Sequence, residues 1–258
     1  MQGLELVHFL SEKAAYYEQP AFIANDPISI PHHYSQPQDI EISALFAATL
    51  AWGSRTTIIN NCRKLMLLMD DAPYQFIRYH NEQERSRFLH FVHRTFNATD
   101  LLVFIDFLQK HFQRNESLES AFTENFSQHA LNVAPALNHF FSYFFPSGNE
   151  YPPRTQKHVA APVKKSSCKR LNMFLRWMVR SADKGVDFGL WHSISPAQLI
   201  CPIDVHVGRV SQKLGLIQRN QIDWQTAIEL TNALSKIDPQ DPVKFDYALF
   251  GLGVSEGF

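Results

Sequence analysis

The sequence predicts an all-α fold, and three observations support that prediction. Apolar residues recur at three- and four-residue spacing along most of the chain, as on one face of a helix. No segment worth assigning as a strand alternates apolar and polar residues. The breaks between the periodic segments carry helix start and stop signals, such as Pro196, Gly215 and Pro242.

The first 145 residues hold five predicted helices. Residues 41–52 are almost entirely apolar, as expected for a central buried helix. The other segments show the period of an amphipathic helix: 56–69, 87–96, 100–112 and 136–145. Thr99 or Asp100 is expected to cap the helix that begins there.

The second half begins with an interruption. Residues 146–166 are rich in proline, polar and basic residues, which predicts a loop. A helix is then predicted from about Ser167 to Ser181. The remaining predicted helices are 195–200, with Ser195 as cap, 204–214, and two that start at Asp223 and Asp241.

Composition sets the class of protein. The 258 residues suit one large domain or two small ones, and 21 phenylalanines predict a core packed by aromatic side chains. Three cysteines form neither a disulfide framework nor a metal-binding pattern, so a reducing cytoplasm is the expected location. No apolar stretch is long enough to cross a bilayer, and we expect no membrane partner.

Charge is distributed unevenly along the chain. The net charge is −1, yet the segment from Arg154 to Lys213 has eleven Lys/Arg residues and three Asp/Glu, an excess of +8. Such a basic segment can follow the phosphates of a nucleic acid. The ordinary alternative is a solvated charged surface, and charge alone favours that alternative.

The segment ICPIDVHVGRVSQKLGL (200–216) places Asp204 at the start of an amphipathic helix. A simple reading is that Asp204 is an N-cap, which accepts backbone N–H groups of the first turn. The segment also resembles one found in helix-hairpin-helix base-excision DNA glycosylases, which reads roughly V-D-T-H-x-x-R-V-x-x-R-L-G-L. The matching residues are Asp204, His206, Arg209, Val210, Leu214, Gly215 and Leu216.

Two further segments carry the same resemblance. KRLNMFL (169–175) is similar to the K-T-A-N-x-x-L of that family, and ALFAATLAWGSRTTIINNCRKL (44–65) is similar to the helices that open its barrel. The resemblance implies two helical domains, a barrel at 40–165 and a second domain made of 1–39 and 166–258, with the active cleft between them. It points to the branch that removes oxidised guanine, or to a bacterial family related to it.

The resemblance assigns catalysis to Lys169 and Asp204. The reaction needs an uncharged amine that attacks the sugar C1′, and a carboxylate that stabilises positive charge on the sugar. Ser166 and Ser167 can cap the helix that begins at Lys169, and the positive end of that helix disfavours an ammonium group. Lysine and arginine neighbours act in the same direction.

The chain departs from the family pattern. The hairpin L-P-G-V-G corresponds to APVKKSSC (161–168), which has no glycine, so a degenerate hairpin is expected. Lys169 and Asp204 lie 35 positions apart, about twice the usual separation, and Val205 replaces a hydroxyl residue. No four-cysteine cluster follows, so we expect no iron–sulfur cluster and no other cofactor.

The expected partner is duplex DNA with a damaged base or an abasic site. The candidate DNA-binding residues are Lys164, Lys165, Ser166, Ser167, Arg170, Arg55 and Arg209, and the candidate base-pocket residues are Trp52, Trp191 and His192. Each tryptophan is as readily a core residue. Histidine pairs such as His90 and His93 lack partners at metal spacing, so we expect no metal site.

Three functions follow from these residues. The first is a DNA glycosylase, with or without abasic-site lyase activity through a Schiff base on Lys169. The second is a nucleic-acid-binding module that keeps the fold without the chemistry. The third is a helical protein-interaction domain whose basic stretch is only surface.

Overall fold

The computed structural model describes residues 3–148 and 150–258, and it confirms the all-α prediction. The α-helices found in these ranges are α1 (Leu4–Tyr17), α2 (Pro37–Leu50), α3 (Arg55–Leu68), α4 (Pro73–Tyr79), α5 (Ala98–Phe112), α6 (Ser120–Thr123), α7 (Ala134–Phe144), α8 (Lys169–Val179), α9 (Val205–Lys213), α10 (Trp224–Ser235) and α11 (Phe245–Ser255). One small antiparallel sheet pairs β1 (Val92–His93) with β2 (Phe96–Asn97).

Short 3₁₀ helices connect many of these elements. They are Pro20–Asn25, Pro27–Ser29, Pro31–His33, Glu84–Phe88, Pro153–His158, Pro162–Lys164, Ala182–Lys184, Pro196–Gln198 and Pro242–Lys244. Seven of the nine begin at a proline, because its fixed φ suits a first turn and its missing N–H is not needed there. Within the described ranges, every helix is too short or too polar to span a bilayer.

Most predicted helices are confirmed. Asp223 caps α10 as expected, and Asp204 caps α9, which ends before Gly215 in the left-handed conformation (φ 71°). Ser195 caps the short helix at Pro196, and Pro242 opens the turn that leads into α11. The cap predictions at Ser195, Asp204 and Asp223 are therefore confirmed, because a short polar acceptor there satisfies N–H groups of the first turn.

The helix predicted at 87–96 is wrong. The segment ends a 3₁₀ helix at Phe88 and then forms the β1–β2 hairpin, in which His93 pairs with Phe96. Arg94 adopts a left-handed φ of 55° and reverses the chain. Phe88, Phe91 and Phe96 are all buried, so their spacing imitates a helix face although the turn interrupts it.

The predicted cap of α5 is also wrong. Asn97 is the N-cap, and its side chain accepts the N–H of Asp100 at 3.4 Å while the Asp100 carboxylate accepts the N–H of Asn97 at 3.1 Å. This reciprocal pair is a capping box, and Asp100 is its third helical residue instead of its cap.

The chain divides into two compact units. Unit 1 consists of Met1–Phe22, Phe126–Asn138 and Ala160–Phe258, and unit 2 consists of Ile23–Asn125 and His139–Val159. The domains predicted from the resemblance have different boundaries: a barrel at 40–165, and a second domain made of 1–39 and 166–258. Both units are discontinuous in sequence, and one of the boundaries between their segments falls within α7, after Asn138.

Unit 1 is built around α8, in which every residue from Leu171 to Val179 is buried. Helix α11 packs against both α1 and α9. Gly251 on α11 allows close approach, because a Cβ atom there would lie 2.3 Å from the Tyr17 ring of α1. Lys169 at the start of α8 and Asp204 before α9 both belong to this unit.

Unit 2 is built around α2, in which every residue from Ile40 to Leu50 is buried. Its core is aromatic, as the phenylalanine content predicted. Phe107 stacks on Phe144 with 4.1 Å between ring centroids, and Phe122 stacks on Phe140 at 4.0 Å. Large rigid rings can fill a helical core with few rotamers lost.

Candidate functional site

Lys169 and Asp204 lie at two adjoining helix starts in unit 1. Lys169 is the first residue of α8, and Asp204 is the N-cap of α9. The Asp204 Oδ1 atom accepts the backbone N–H groups of His206 and Val207 at 2.9 and 3.0 Å. Its other oxygen, Oδ2, lies 3.8 Å from Lys169 Nζ.

The pair remains accessible to solvent. The Lys169 side chain is 24% exposed and that of Asp204 is 28% exposed. A separation of 3.8 Å is an ion-pair distance but is longer than a hydrogen bond. The two cap hydrogen bonds use Oδ1 and orient the Asp204 carboxylate. Its Oδ2 atom therefore faces the Lys169 amine without forming a hydrogen bond to it.

The turn before α8 adopts glycine-like conformations without glycine. Lys165 has φ 60° and Cys168 has φ 52°, both in the left-handed region. A side chain in that region costs roughly 1–2 kcal/mol. Only two 3₁₀ helices, Pro153–His158 and Pro162–Lys164, separate α7 from α8 in the described part of the chain. The turn therefore forms at a conformational cost that the surrounding structure must offset.

The predicted serine cap of α8 is wrong. The N-cap position is Cys168, and no side chain caps this helix. The Ser166 hydroxyl instead accepts the N–H of Cys168 at 3.2 Å, and the Ser167 hydroxyl donates to the Ile203 carbonyl at 3.4 Å. The second bond joins the turn to the residue before Asp204. Both serines therefore hold the turn in place, and the N-terminal end of α8 keeps its positive dipole.

The candidate DNA-binding residues of unit 1 have different environments. Lys164 and Lys165 are exposed on the turn. Arg170 is half-buried, and burial lowers the pKa of its guanidinium. Arg209 is exposed and donates through Nη2 to the Gly253 carbonyl at 3.2 Å. The two lysines and Arg209 are thus the accessible cations near the helix starts.

Part of the basic segment is internal. Arg176 of α8 is only 4% exposed, and Arg180, the C-cap of this helix, is only 5% exposed. Both are neutralised by carboxylates that belong partly to other segments of unit 1. The charge excess counted in the sequence therefore overstates the positive charge that a nucleic acid would meet.

Arg180 is surrounded by three carboxylates. Its guanidinium donates to Glu18 Oε1 at 2.6 Å, to both oxygens of Asp241 at 2.9–3.1 Å, and to Asp187. Burial alone would lower the pKa of Arg180, but Asp241, Asp187 and Glu18 reverse that effect and raise it. The cation is therefore permanent and holds four chain segments together.

Arg176 bridges two further acids. It donates through Nη1 to Asp246 and lies 3.6 Å from Asp187 Oδ1. Its guanidinium carbon lies 4.2 Å from the centroid of the Tyr247 ring, a cation–π distance. Arg176 and Arg180 thus share Asp187, and the two arginines form one buried network.

Asp246 belongs to the same buried network, where its ion-pair partner is Arg176. It is 5% exposed, and burial raises its pKa to about 6, although Arg176 and Lys169 act to lower it and Asp204 acts to raise it. Sequence reasoning missed it, although a single acid in the apolar stretch FDYALFGLGV was a visible signal.

The proposed base-pocket residues of unit 1 differ in exposure. Trp191 is 2% exposed and packs edge-on against Phe174, with 5.3 Å between ring centroids. A buried ring of this kind presents no face to a base, so its position favours the core alternative. His192 is exposed.

Trp52 belongs to unit 2 and is partly covered. The Arg94 guanidinium lies 4.7 Å from the centre of its ring, and His93 contacts it edge-on. Gly53 (φ 107°) lets Arg94 approach, because a Cβ there would lie 3.1 Å from Arg94 Nη1. Arg55, a partly exposed residue, begins α3. Sequence reasoning missed Arg94, which carries no signal before the hairpin turn is known.

Metal and thiol chemistry have little support in this arrangement. Within residues 3–148 and 150–258, no group of three or more His, Cys, Asp or Glu side chains could hold a metal ion. Cys62, Cys168 and Cys201 are free and buried, and burial raises the pKa of each thiol above its usual range. High thiol pKa values make these cysteines poor nucleophiles.

Comparison with known proteins identifies a family. Residues 26–255 match the family described as protein of unknown function (DUF2400). The chain belongs to this family. No curated protein and no solved structure matches the chain. The matched region of this DUF2400 member includes both Lys169 and Asp204, so the candidate site lies inside it.

Proposed function

We propose that this protein is a DNA base-excision glycosylase that can also nick the strand at abasic sites. The observation that carries the proposal is the approach of Lys169 Nζ to within 3.8 Å of Asp204 Oδ2, with both groups still accessible to solvent. The resemblance of PIDVHVGRVSQKLGL and KRLNMFL to the helix-hairpin-helix glycosylases supports the same roles.

The chemistry assigns one step to each group. The Lys169 amine, once uncharged, attacks C1′ of an extruded nucleotide, and the bond from C1′ to the base breaks with its electron pair leaving on the base. Asp204 stabilises the positive charge that develops on the sugar. At an abasic site the same amine condenses with the C1′ aldehyde, one water molecule leaves to give an imine, and a proton from solvent converts this imine into the iminium ion.

The surroundings of the pair suit a phosphate backbone. The N-terminal end of α8 has no side-chain cap, and Lys164 and Lys165 are exposed beside it. Helix starts and lysines are common phosphate-binding groups. In this proposal Ser166 and Ser167 shape the turn, while the lysines and Arg209 supply the charge. Trp52, Arg55 and His192 remain the candidates for contact with the base and the strand.

Borohydride trapping tests the proposal. The protein is incubated with a duplex that contains one abasic site, and borohydride reduces any iminium to a stable adduct. We expect a covalent adduct with the native chain and none with Lys169→Ala. Lys244→Ala is the matched control, because Lys244 pairs with Asp238 in the same unit and begins no catalytic step.

A second candidate is a nucleic-acid-binding module without chemistry. The observation that favours it is the ion pair itself, since a partly exposed lysine–carboxylate pair is a common structural contact that needs no catalytic role. Absence of the adduct together with salt-sensitive binding to duplex DNA would select this module. Absence of both would overturn every nucleic-acid function and leave a protein-interaction domain.

The expected location is the cytoplasm. Three cysteines remain unpaired and buried, which suits a reducing compartment. This expectation agrees with a substrate that is chromosomal DNA.

A further inference from the structure

A groove on unit 2 is a second candidate binding site. It runs along one face of α5, has a volume of about 910 Å³, and every described residue that lines it belongs to unit 2. We call it the α5 groove and define it by Leu102, Asp106, Lys110, Tyr143 and Tyr151. The first three recur every four residues, so α5 presents them on one face. Ligand cavities commonly have volumes of about 300–1,000 Å³, so the groove has room for a small molecule.

The floor of the α5 groove is apolar and aromatic. Val103 is buried there, and Phe107 stacks on Phe144 with 4.1 Å between ring centroids. Tyr143 packs edge-on against Phe107 at 5.5 Å, and Tyr151 packs edge-on against Phe144 at 6.4 Å. Aromatic rings associate readily in offset and edge-on arrangements, so this floor suits a ligand with a flat aromatic body.

Asp106 is satisfied inside the protein. Its carboxylate accepts hydrogen bonds from Lys110 Nζ at 2.6 Å and from the Tyr151 hydroxyl. Burial acts to raise the pKa of Asp106, but these two donors lower it overall, so the group is ionised at neutral pH. The Lys110 amine also lies 5.2 Å from the centroid of the Tyr151 ring. These three residues carry no excess charge together, and the Tyr151 proton is already donated.

The Tyr143 hydroxyl is used in a similar way. His111 Nε2 lies 2.9 Å from the Ser117 carbonyl oxygen, which can only accept, so Nε2 carries the proton. Burial lowers the pKa of His111, which keeps the ring neutral and leaves Nδ1 as an acceptor. The Tyr143 hydroxyl lies 3.1 Å from Nδ1 and donates to it. Neither tyrosine of the groove is therefore free to donate to an anion.

Arg114 is the cation that remains for an anionic ligand. It lines the groove, is exposed, and takes part in no ion pair among the described residues. Arg85 also lines the groove, but it lies 3.6 Å from Glu82. With its lysine the groove has three cations against Asp106 and Glu150, an excess of one positive charge. A monoanion complements that excess, and a guanidinium can bind a carboxylate through two parallel hydrogen bonds.

We propose that the α5 groove binds a small aromatic monocarboxylate, whose ring packs on the apolar floor and whose carboxylate pairs with Arg114. Binding is noncovalent and independent of the chemistry proposed for Lys169 and Asp204, because those residues belong to unit 1 and the groove to unit 2. Dianionic phosphates fit less well, since the groove has only one positive charge in excess.

Calorimetric titration with 2-naphthoate tests this proposal. We expect saturable binding with a Kd below about 1 mM. The amide 2-naphthamide has the same rings without the charge and should bind about tenfold more weakly. Arg114→Met should weaken naphthoate binding by about tenfold and leave naphthamide binding unchanged. Arg63→Met is the matched control, because Arg63 is exposed on α3 of the same unit and lies outside the groove, and it should change neither affinity.

A second variant tests the apolar contact. Leu102 is partly exposed in the groove, and Leu102→Gln keeps the length of the side chain and a good helix former. We expect it to weaken naphthoate and naphthamide by a similar factor, about three to ten, because both lose the same apolar contact. Octanoate, which has a chain in place of the rings, should bind more weakly than naphthoate. Both substituted positions reach solvent, and circular dichroism checks that each variant folds.

Four results would overturn the proposal. They are no naphthoate binding up to about 1 mM, equal affinities for naphthoate and naphthamide, equal losses in Arg114→Met and Arg63→Met, and tighter binding of octanoate than of naphthoate. The third would indicate general attraction to surface cations, and the fourth would replace the aromatic ligand by an aliphatic one. None of these measurements involves DNA, so this proposal and the proposed function succeed or fail separately.

Discussion

Ion pairs lie at both ends of helix α8, but their exposure to solvent differs. At its start, Lys169 faces a single carboxylate at 3.8 Å, and both side chains reach solvent. At its end, Arg180 is 5% exposed and contacts three carboxylates. Helix α8 thus has an accessible ion pair at its first residue and a buried cluster of ion pairs at its C-cap.

The difference shows what burial does to a charge. Water can replace the partner of Lys169 with little loss, so its ion pair contributes little stability and leaves the amine able to react. Water cannot reach Arg180, so removal of either the arginine or its carboxylate partners leaves an uncompensated charge in the interior. A reactive lysine and a structural arginine therefore need opposite surroundings, and α8 provides both within about three turns.

The largest expected effect comes from removing Arg180 at the buried end of α8. Arg180→Met leaves Glu18, Asp187 and Asp241 without their shared cation, and we expect the free energy of unfolding to fall by about 3–5 kcal/mol. Denaturant titration followed by circular dichroism measures this change. Lys184→Met, at an exposed position nearby in sequence, should stay within about 0.5 kcal/mol. A loss below 1 kcal/mol for Arg180→Met would show that the network is not structural.

The next prediction separates two roles of Asp204: capping α9, and presenting a negative charge to Lys169. Asp204→Asn keeps a cap acceptor for His206 and Val207, so stability should change by less than about 0.5 kcal/mol. Asp204→Ala removes the cap and should cost about 1 kcal/mol. Both variants should lose most of the borohydride adduct, because both remove the carboxylate facing Lys169. An Asn variant that traps as well as the native protein would restrict Asp204 to capping.

The smallest effect concerns the turn that positions Lys169. Lys165→Gly removes a side chain from a left-handed residue, and we expect a gain of roughly 0.5–1 kcal/mol in the free energy of unfolding. Lys164→Gly is the control, since Lys164 lies in a 3₁₀ helix where glycine gives no such relief and should lose a similar amount. Thermal denaturation of both variants measures the difference. Destabilisation of equal size in both would show that the turn is unstrained.

The sequence by itself determined the helical class, most of the longer helices and the caps of α9 and α10. Asp204 and Asp223 cap helices because a short acceptor before an apolar run satisfies the first N–H groups locally. The two catalytic candidates also came from sequence, through the matched flanks of Lys169 and Asp204. The helix predicted at 87–96 is wrong. Buried phenylalanines there have the spacing of a helix face, but Arg94 adopts a left-handed φ and reverses the chain.

Only the tertiary structure decided which charges are internal. Arg176 and Arg180 counted as surface charge in the sequence, yet acids from α1, α11 and the loops between helices neutralise them in the core of unit 1. Arg176 and Asp246 are 70 positions apart in the chain and become ion-pair partners only in the folded protein. The energy of a charge depends on the distance to other charges and to water, and the order of residues specifies neither until the chain has folded.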